Sequence, residues 1–298
     1  MSRLSKTFAV MVLVLALAYY WLLVNAGPAG VPARKVDLAQ LREAANQMPG
    51  EKPTALEYVP IAGRTIPGAA LAAGTGLRQI HTATIAWHIK APSGDIVIDS
   101  GMQAADAKAM DFNHYDPKAR KLVDAWMDKA ALILFTHEHI DHVGGFLDHP
   151  NFRAIAEKAV ISPDLMRGMT GLWRDNARFL PAPRPLAQLQ AVAPGVVLVQ
   201  APGHTPASQM IYVRLQNGRE YLFPGDTASL AANFDLPTPR SRLVSEWMVE
   251  EDRPAVIGWL KGIKALKTRH PALVVIPSHD PDWLAARAPR DGFTRAGQ

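Results

Sequence analysis

The chain has 298 residues, of which 48% are hydrophobic and 20% are charged, and its formal net charge is +5. This composition is typical of a globular protein that buries a core, and it excludes disorder of the whole chain. The lysines and arginines are scattered among acids without a basic run, which argues against a nucleic-acid partner. No cysteine is present, so disulfides, thiolate metal ligands and thiol catalysis are excluded.

The N-terminus has the composition of an export signal. Arg3 and Lys6 precede an uncharged, largely apolar run from Phe8 to Val24. The small residues Ala26 and Gly27 would suit a signal peptidase, so we favour cleavage there and a soluble periplasmic or secreted product. The alternative is that the run is retained as a membrane anchor. In both cases the positive charges stay in the cytoplasm and the folded body lies outside it.

We expect three parts along the chain. Residues 1–26 form the signal peptide or membrane anchor, and residues 77–298 form one folded domain. Residues 27–76, which are rich in Ala, Pro and Gly, are interpreted as a linker and N-terminal extension with one helix around Leu38 to Met48.

The folded domain begins with a predicted β-hairpin. Residues 83–89 alternate loosely, residues 92–94 supply a turn, and the apolar residues 96–98 end at Asp99. Asp116 followed by a proline then predicts the start of an amphipathic helix.

A short apolar run over residues 131–135 has the pattern of a buried central strand. A second helix is predicted to begin after Asp252, with Pro254 in its first turn. Strands paired in hairpins with interspersed helices favour an α+β fold of packed sheets covered by helices. Further strands are predicted at 159–161, 196–200, 210–215, 221–223 and 273–276.

Residues able to bind metal follow directly after the strand at 131–135. The six residues from His137 to His142 contain three imidazoles and a carboxylate, which are ligands that Zn²⁺ accepts. Alternate residues leaving a strand point the same way, so His137 and His139 can converge on one ion. Asp141 and His142 have turned away from that direction, so we infer a second ion.

Three later strand ends each present one more donor beside a Gly or Pro: His204, Asp226 and His279. A single His or Asp after a strand is usually a turn residue. Here four strand ends, counting the one at 137–142, each carry such residues, which favours a metal site. We therefore predict two divalent metal ions, with zinc favoured over manganese, iron or cobalt. The predicted ligands are His137, His139, Asp141, His142, His204, Asp226 and His279.

In their order and spacing these residues resemble the metallo-β-lactamase fold superfamily, over about residues 82–280. The resemblance implies a four-layer αββα sandwich with the metals at one sheet edge. It also implies that Asp99 steadies the ligand loop, although Asp99 could simply form a turn. By the same resemblance the first metal is held by His137, His139 and His204, the second by Asp141, His142 and His279, and both by Asp226.

Two such ions would lower the pKa of a shared water molecule, so that hydroxide, the expected nucleophile, forms near neutral pH. Asp141 is the predicted catalytic residue, because it could relay a proton to the leaving group; ligation alone is the alternative. The presence of Asp226 and the absence of cysteine make the ligand set similar to that of lactonases, glyoxalase II and organophosphate hydrolases.

Loops near Trp173, Phe179 and Phe234 could line an apolar pocket, or these side chains could simply pack. We therefore predict a hydrolase of a small-molecule lactone or carboxylic ester. Phosphotriester and β-lactam hydrolysis are the alternatives on the same metals, and an extracytoplasmic metal-binding module is the non-enzymatic one. Arg240 and Arg242 could meet a substrate anion. Membrane contact is expected only through an uncleaved N-terminal segment.

Overall fold

The computed structural model of the chain describes residues 2–297. Its strands are β1 (Ala55–Pro67), β2 (Gln79–Lys90), β3 (Ile96–Ile98), β4 (His114–Tyr115), β5 (Leu132–Leu134), β6 (Leu189–Ala193), β7 (Val196–Gln200), β8 (Gln209–Arg214), β9 (Glu220–Phe223), β10 (Val274–Val275) and β11 (Thr294–Arg295).

The α-helices are α1 (Arg3–Tyr19), α2 (Leu38–Ala44), α3 (Gly68–Leu71), α4 (Ala104–Ala109), α5 (Pro117–Lys129), α6 (Ile140–Leu147), α7 (Phe152–Ile155), α8 (Pro163–Gly171), α9 (Ala231–Asp235), α10 (Arg242–Ser245), α11 (Arg253–Arg269) and α12 (Pro281–Asp291). A π-helical segment, Tyr20–Val24, continues α1. Three short 3-10 helices lie at Ala156–Lys158, Asp175–Phe179 and Gly225–Ala228.

The strands form two sheets. The first has the order β11-β1-β2-β3-β5, with β4 beside β1, and the second has the order β10-β9-β8-β7-β6. Strands β2 and β3 are antiparallel, as predicted for the hairpin, whereas β3 and β5 are parallel. In the second sheet β7, β8 and β9 alternate in direction, and β10 runs parallel to β9.

The structure has four layers in the order helices, sheet, sheet, helices, and the apolar core fills the three spaces between them. On β7, Val196 and Leu198 face the other sheet, whereas Val197 and Val199 face the helices α2 and α11. The outer face of the first sheet is covered in the same way by α5, α6, α7 and α8. Because side chains alternate across a strand, each sheet buries both faces. The predicted sandwich of two sheets between helices is confirmed.

Residues 27–76, which we interpreted as a linker and extension, belong to the folded body. Residues 55–67 form β1, which pairs with β2 along its whole length. Pro60 and Gly63 hide this strand in the sequence, but the register shifts at Pro60, and a bulge tolerates a missing N–H donor. The predicted domain boundary at residue 77 is therefore wrong.

Two smaller differences concern element lengths. The strand predicted at 159–161 is reduced to one bridge between Ala159 and Ile133. The helix predicted to reach Met48 ends at Ala44. Both long amphipathic helices begin as predicted, since Asp116 and Asp252 accept backbone N–H groups in the first turns of α5 and α11.

The N-terminal segment forms one apolar helix from Arg3 to Val24, with a mean hydropathy of 2.3 over its most apolar window. Its length and composition would allow it to cross a membrane, and a signal sequence has the same properties.

Candidate metal centre

Five strands end at the place where the candidate ligands lie. Strands β3 and β5 are parallel, so their carboxyl ends reach the same edge of the first sheet, where Asp99 and His137 follow. In the second sheet β7, β9 and β10 all run in one direction, and they lead to His204, Asp226 and His279. Strand direction therefore brings residues far apart in the sequence to one rim.

The structure places four predicted ligands in one group: His137, His139, His204 and Asp226 offer donor atoms that all lie within 4.8 Å of one another. Nδ1 of His139 is 3.1 Å from Nε2 of His137 and 3.0 Å from Nε2 of His204. Oδ2 of Asp226 is 3.9 Å from the His137 nitrogen and 3.6 Å from the His204 nitrogen.

The remaining three predicted ligands, Asp141, His142 and His279, form the second group. The Nε2 atoms of His142 and His279 are 3.2 Å apart. Oδ2 of Asp141 lies 3.8 Å from the first of these nitrogens and 3.6 Å from the second.

Asp226 lies between the two groups. Its Oδ2 atom faces the first group, whereas its Oδ1 atom is 2.8 Å from Nε2 of His279 and 3.5 Å from Nε2 of His142. A carboxylate in this position can offer one oxygen to each of two ions.

The donor atoms have the separations that a small cation requires. Ligand atoms bound at about 2.0–2.1 Å in a tetrahedral site lie about 3.3 Å from one another, and the four separations given above for the first group run from 3.0 to 3.9 Å. The site residues present are therefore chemically and sterically suited to zinc-sized divalent ions.

Hydrogen bonds on the outer nitrogens orient three of the imidazoles. Nδ1 of His279 donates to the Ala83 carbonyl at 2.8 Å, and Nδ1 of His142 lies 2.9 Å from Oδ2 of Asp99. These acceptors keep a proton on Nδ1 of each ring, so Nε2, which faces the other ring, is the nitrogen left to bind a metal ion. A cation between them would satisfy both.

His204 is oriented by Glu251, whose Oε1 atom lies 2.7 Å from Nδ1 of the imidazole. Both side chains are buried. Glu251 follows no strand and stands in an acidic stretch, so the sequence pattern gave no reason to single it out.

Asp99 contacts the ligand loop at three points. Its Oδ1 accepts the N–H of Thr136 at 2.8 Å, and its Oδ2 accepts the Thr136 hydroxyl at 2.8 Å as well as facing His142. The residue also has a φ of 55°, so it does turn the chain. Asp99 therefore has both of the roles considered from the sequence.

The two groups differ in their electrostatics. Burial, with the neighbouring His142, His139 and His204, holds the pKa of His137 well below its usual value. Burial alone would also lower the pKa of His142, but Asp99, Asp141 and Asp226 outweigh it and hold that pKa well above the usual value. The second group therefore lies in a strongly negative environment, which attracts cations.

Arg240 lies beside the centre, and the sequence identified it only as a candidate for a substrate anion. Its buried guanidinium places Nη2 at 2.5 Å from Oδ2 of Asp226 and 2.8 Å from the Ser229 hydroxyl. Burial alone would raise the pKa of Asp226, but His279, Arg240 and His142 hold it well below its usual value. Arg242 lies away from this cluster, with its guanidinium 4.1 Å over the ring of Trp21.

The apolar side chains considered for a pocket have separate surroundings. The side chain of Trp173 is 91% exposed, Phe179 packs under the guanidinium of Arg153, and Phe234 is buried under α11. A surface cleft of about 660 Å³, lined by Asp235 and Arg290 among others, contains none of the seven candidate ligands. The side chain of Asp141 is 13% exposed, so solvent reaches the centre on its side.

Several solved structures of known proteins share the fold of this chain. An N-acyl homoserine lactone hydrolase with N-hexanoyl-L-homoserine bound at its metal center is 17% identical, with a TM-score of 0.61 over 79% of this chain and 96% of that chain. AidC, a dizinc quorum-quenching lactonase, is 14% identical, with a TM-score of 0.54 over 76% and 88%. The hydrolase AbOPH of the beta lactamase superfamily is 15% identical, with a TM-score of 0.53 over 78% and 91%.

At these identities the likeness concerns the fold, and no curated protein matches the chain significantly. The family model of the metallo-beta-lactamase superfamily matches residues 82–290, well over half of the chain. This range includes all seven candidate ligands, which the structure brings together in two adjoining groups. The resemblance seen in the sequence is confirmed: the chain belongs to the metallo-β-lactamase superfamily.

Proposed function

We propose that the chain is a metal-dependent hydrolase that cleaves a lactone or a carboxylic ester, with two divalent metal ions, zinc favoured. The observation that carries the proposal is Asp226, whose two oxygens face two separate groups of imidazole and carboxylate donors. When bound, two such ions acidify a water molecule and polarise the scissile carbonyl. The proposed ligands are His137, His139, Asp141, His142, His204, Asp226 and His279.

The protein's own contribution is to hold these donors in place before substrate arrives. Asp99, Glu251 and the Ala83 carbonyl fix the outer nitrogens of three imidazoles, so the inner nitrogens keep their lone pairs for the ions. Arg240 holds the Asp226 carboxylate from the side away from His279. Such fixed donors reduce the reorganisation that the reaction requires.

Asp141 is the proposed proton-moving group. Burial alone would raise its pKa, but His142 and His279 lower it overall, so its carboxylate is ionised at neutral pH. Its side chain is 13% exposed, and this partial exposure supports the proposal that a substrate reaches the centre on its side. A carboxylate there can bind metal through Oδ2, which faces His142 and His279, and at Oδ1 take up the proton released by the attacking water and pass it to the leaving oxygen.

The substrate class is supported by the solved relatives. One of them holds the hydrolysed product of an acyl lactone at its metal center, and another is named a dizinc lactonase. Lactone opening and ester cleavage need the same parts, namely a nucleophilic water, a polarised carbonyl and a stabilised alkoxide. We therefore prefer these substrates to phosphotriesters and β-lactams.

The test is hydrolysis by the full chain in detergent micelles, with metal content assayed. The substrates are N-acyl lactones, aryl esters, an aryl phosphotriester and a chromogenic cephalosporin. We expect lactone or ester turnover that is abolished in Asp226→Ala and kept in Asp128→Ala, which removes an exposed carboxylate on α5 that belongs to neither ligand group. Preferential phosphotriester or cephalosporin turnover would contradict the substrate class, and two bound metals without any turnover would indicate a binding module.

A further inference from the structure

Residues on the N-terminal side of the predicted cleavage site pack against the folded body. Nη2 of Arg253 donates to the carbonyl oxygens of Asn25 and Ala26, at 3.2 and 3.0 Å. The backbone N–H of Gly74 donates to the Leu23 carbonyl at 2.9 Å. Cleavage before Gly27 would remove all three acceptors and leave donors of the buried Arg253 without partners.

The contacts continue on both sides of that site. The guanidinium of Arg242 lies over the ring of Trp21, and Nζ of Lys261 donates to the carbonyl oxygens of Ala29 and Val31 at 3.0 and 2.7 Å. A signal peptide that is removed needs no such fitted surface on the mature protein. The segment is therefore built as a part of the body, which favours retention of the apolar helix.

Residues 240–251, here called the 240–251 loop, join the metal centre to this segment. The loop starts at Arg240, which contacts Asp226, and ends at Glu251, which contacts His204. Between these ends, α10 packs against the π-helical segment Tyr20–Val24. Arg240 and Arg242 are two positions apart in the chain, with only Ser241 between them, so their Cα atoms are at most about 7 Å apart.

The middle of the 240–251 loop exposes large apolar side chains. Trp247 is 76% exposed, Met248 is 72% exposed, and Leu243 on α10 is 40% exposed. Tyr20 and Trp21, at the end of the apolar helix, are about half exposed as well. Adjoining exposed aromatic and apolar side chains are typical of a surface that contacts another apolar phase.

The length of the N-terminal helix indicates that this apolar phase is a lipid bilayer. The 22 residues from Arg3 to Val24 span about 33 Å, close to the roughly 30 Å of a bilayer's hydrocarbon core. With Arg3 and Lys6 on the cytoplasmic side, Tyr20 and Trp21 fall at the opposite headgroup layer, where tyrosine and tryptophan are enriched. The 240–251 loop lies beside them.

We propose that the N-terminal helix is a retained anchor and that the 240–251 loop rests on the outer surface of the same bilayer, with Trp247 and Met248 inserted. The metal centre then lies next to the lipid headgroups and takes amphiphilic acyl esters or acyl lactones that partition into the membrane. The substrate part of this inference rests on the proposed hydrolase function, whereas the membrane contact does not.

The absence of cysteine allows a direct test of the membrane contact. The full chain carrying Trp247→Cys is labelled with an environment-sensitive fluorophore and reconstituted in phosphatidylcholine and phosphatidylglycerol vesicles that contain brominated lipid. We expect a blue-shifted emission and strong quenching. The matched control is Gln216→Cys, an exposed site in the turn between β8 and β9, at the opposite end of the second sheet.

Two results would overturn the proposal. One is a label at residue 247 that the brominated lipid quenches no more than the label at residue 216. The other is a chain recovered from bacterial membranes or periplasm that begins at Gly27. A label at Met248→Cys repeats the measurement if the Trp247 variant does not keep the thermal unfolding midpoint of the unsubstituted chain.

The substrate part has its own experiment. In vesicles, the double variant Trp247→Ser/Met248→Ser is expected to lower kcat/KM for a long-chain acyl ester about tenfold more than for a short soluble ester, because inserted apolar area is lost. An equal decrease for both esters would contradict access from the membrane. If no ester or lactone is hydrolysed at all, the proposed function fails, while lipid quenching at residue 247 still decides the membrane contact.

Discussion

Asp141 is the candidate ligand on which the sequence and the structure leave two roles open. Its carboxylate is ionised at neutral pH and faces His142 and His279, which suits ligation. Its side chain is also the most exposed of the second group, at 13% against 8% for His279 and 3% for His142. The two roles separate in the variant Asp141→Asn, which keeps an oxygen donor but cannot carry the proton.

We expect Asp141→Asn to keep most of its bound metal and to lose about 100-fold or more in kcat, the typical contribution of a positioned proton donor. Metal content by mass spectrometry and kcat on the preferred ester are the two measurements. Asp128→Asn, on the exposed side of α5, serves as the control. A loss of metal in proportion to the loss of turnover would show that Asp141 is only a ligand.

Glu251 supports His204 through a single buried hydrogen bond, and its neighbour Glu250 is exposed. The pair therefore offers a matched test of the outer hydrogen bonds. Glu251→Gln should weaken metal affinity by about 10–100-fold, because the imidazole loses a charged acceptor on Nδ1. Competition with a zinc chelator measures the affinity. Equal affinities in Glu251→Gln and Glu250→Gln would mean that His204 needs no such support.

At the scale of single elements, helix α2 joins the residues that precede β1 to the rest of the folded domain. Arg42 on this helix forms two hydrogen bonds of 2.7 Å with the Glu220 carboxylate, which also accepts the Tyr212 hydroxyl. Burial alone would raise the pKa of Glu220, but its Arg42 and Tyr212 partners lower it overall. The carboxylate therefore stabilises the fold as an anion.

Glu220→Gln should lower the free energy of unfolding by about 1–3 kcal/mol at pH 7, the cost of a lost buried charged partner. Because the folded pKa is lowered, this stabilisation is complete above the ordinary pKa of glutamate, about 4.3, and is lost as the pH falls through the lowered folded value. The difference between the two proteins should therefore shrink below about pH 4.

Urea unfolding at pH 7 and at more acidic pH checks this prediction, with the exposed Glu157→Gln as the control. A Glu220→Gln variant as stable as the unsubstituted chain at pH 7 would show that the cluster does not hold α2 in place.

The same elements show what a single sequence can predict. Ligands that follow apolar strands carry a local signal, so His137, His204 and Asp226 could be found from their neighbours alone. Strand β1 could not, because Pro60 and Gly63 mask its alternation and its partners lie elsewhere in the chain. Glu251 reaches the centre through a loop whose course depends on tertiary packing, and no local pattern encodes that course.

At the scale of the whole molecule, the chain combines an apolar N-terminal helix with a metallo-β-lactamase fold. The sequence identified both parts, and it favoured removal of the helix because the residues around Ala26 suit a signal peptidase. It could not reveal that Arg253 and Lys261, more than two hundred residues away, bind the backbone on both sides of that site. These tertiary contacts are the reason to prefer an anchor.

The account depends most on a dinuclear centre bridged by Asp226. The most direct test is zinc titration of the metal-free full chain in detergent micelles, followed by calorimetry and by hydrolysis of the preferred substrate. We predict two zinc ions per chain, hydrolysis that appears only when both are bound, and the loss of at least one ion in Asp226→Ala. Hydrolysis by the metal-free chain, or a single zinc ion bound equally well by the unsubstituted chain and by Asp226→Ala, would contradict it.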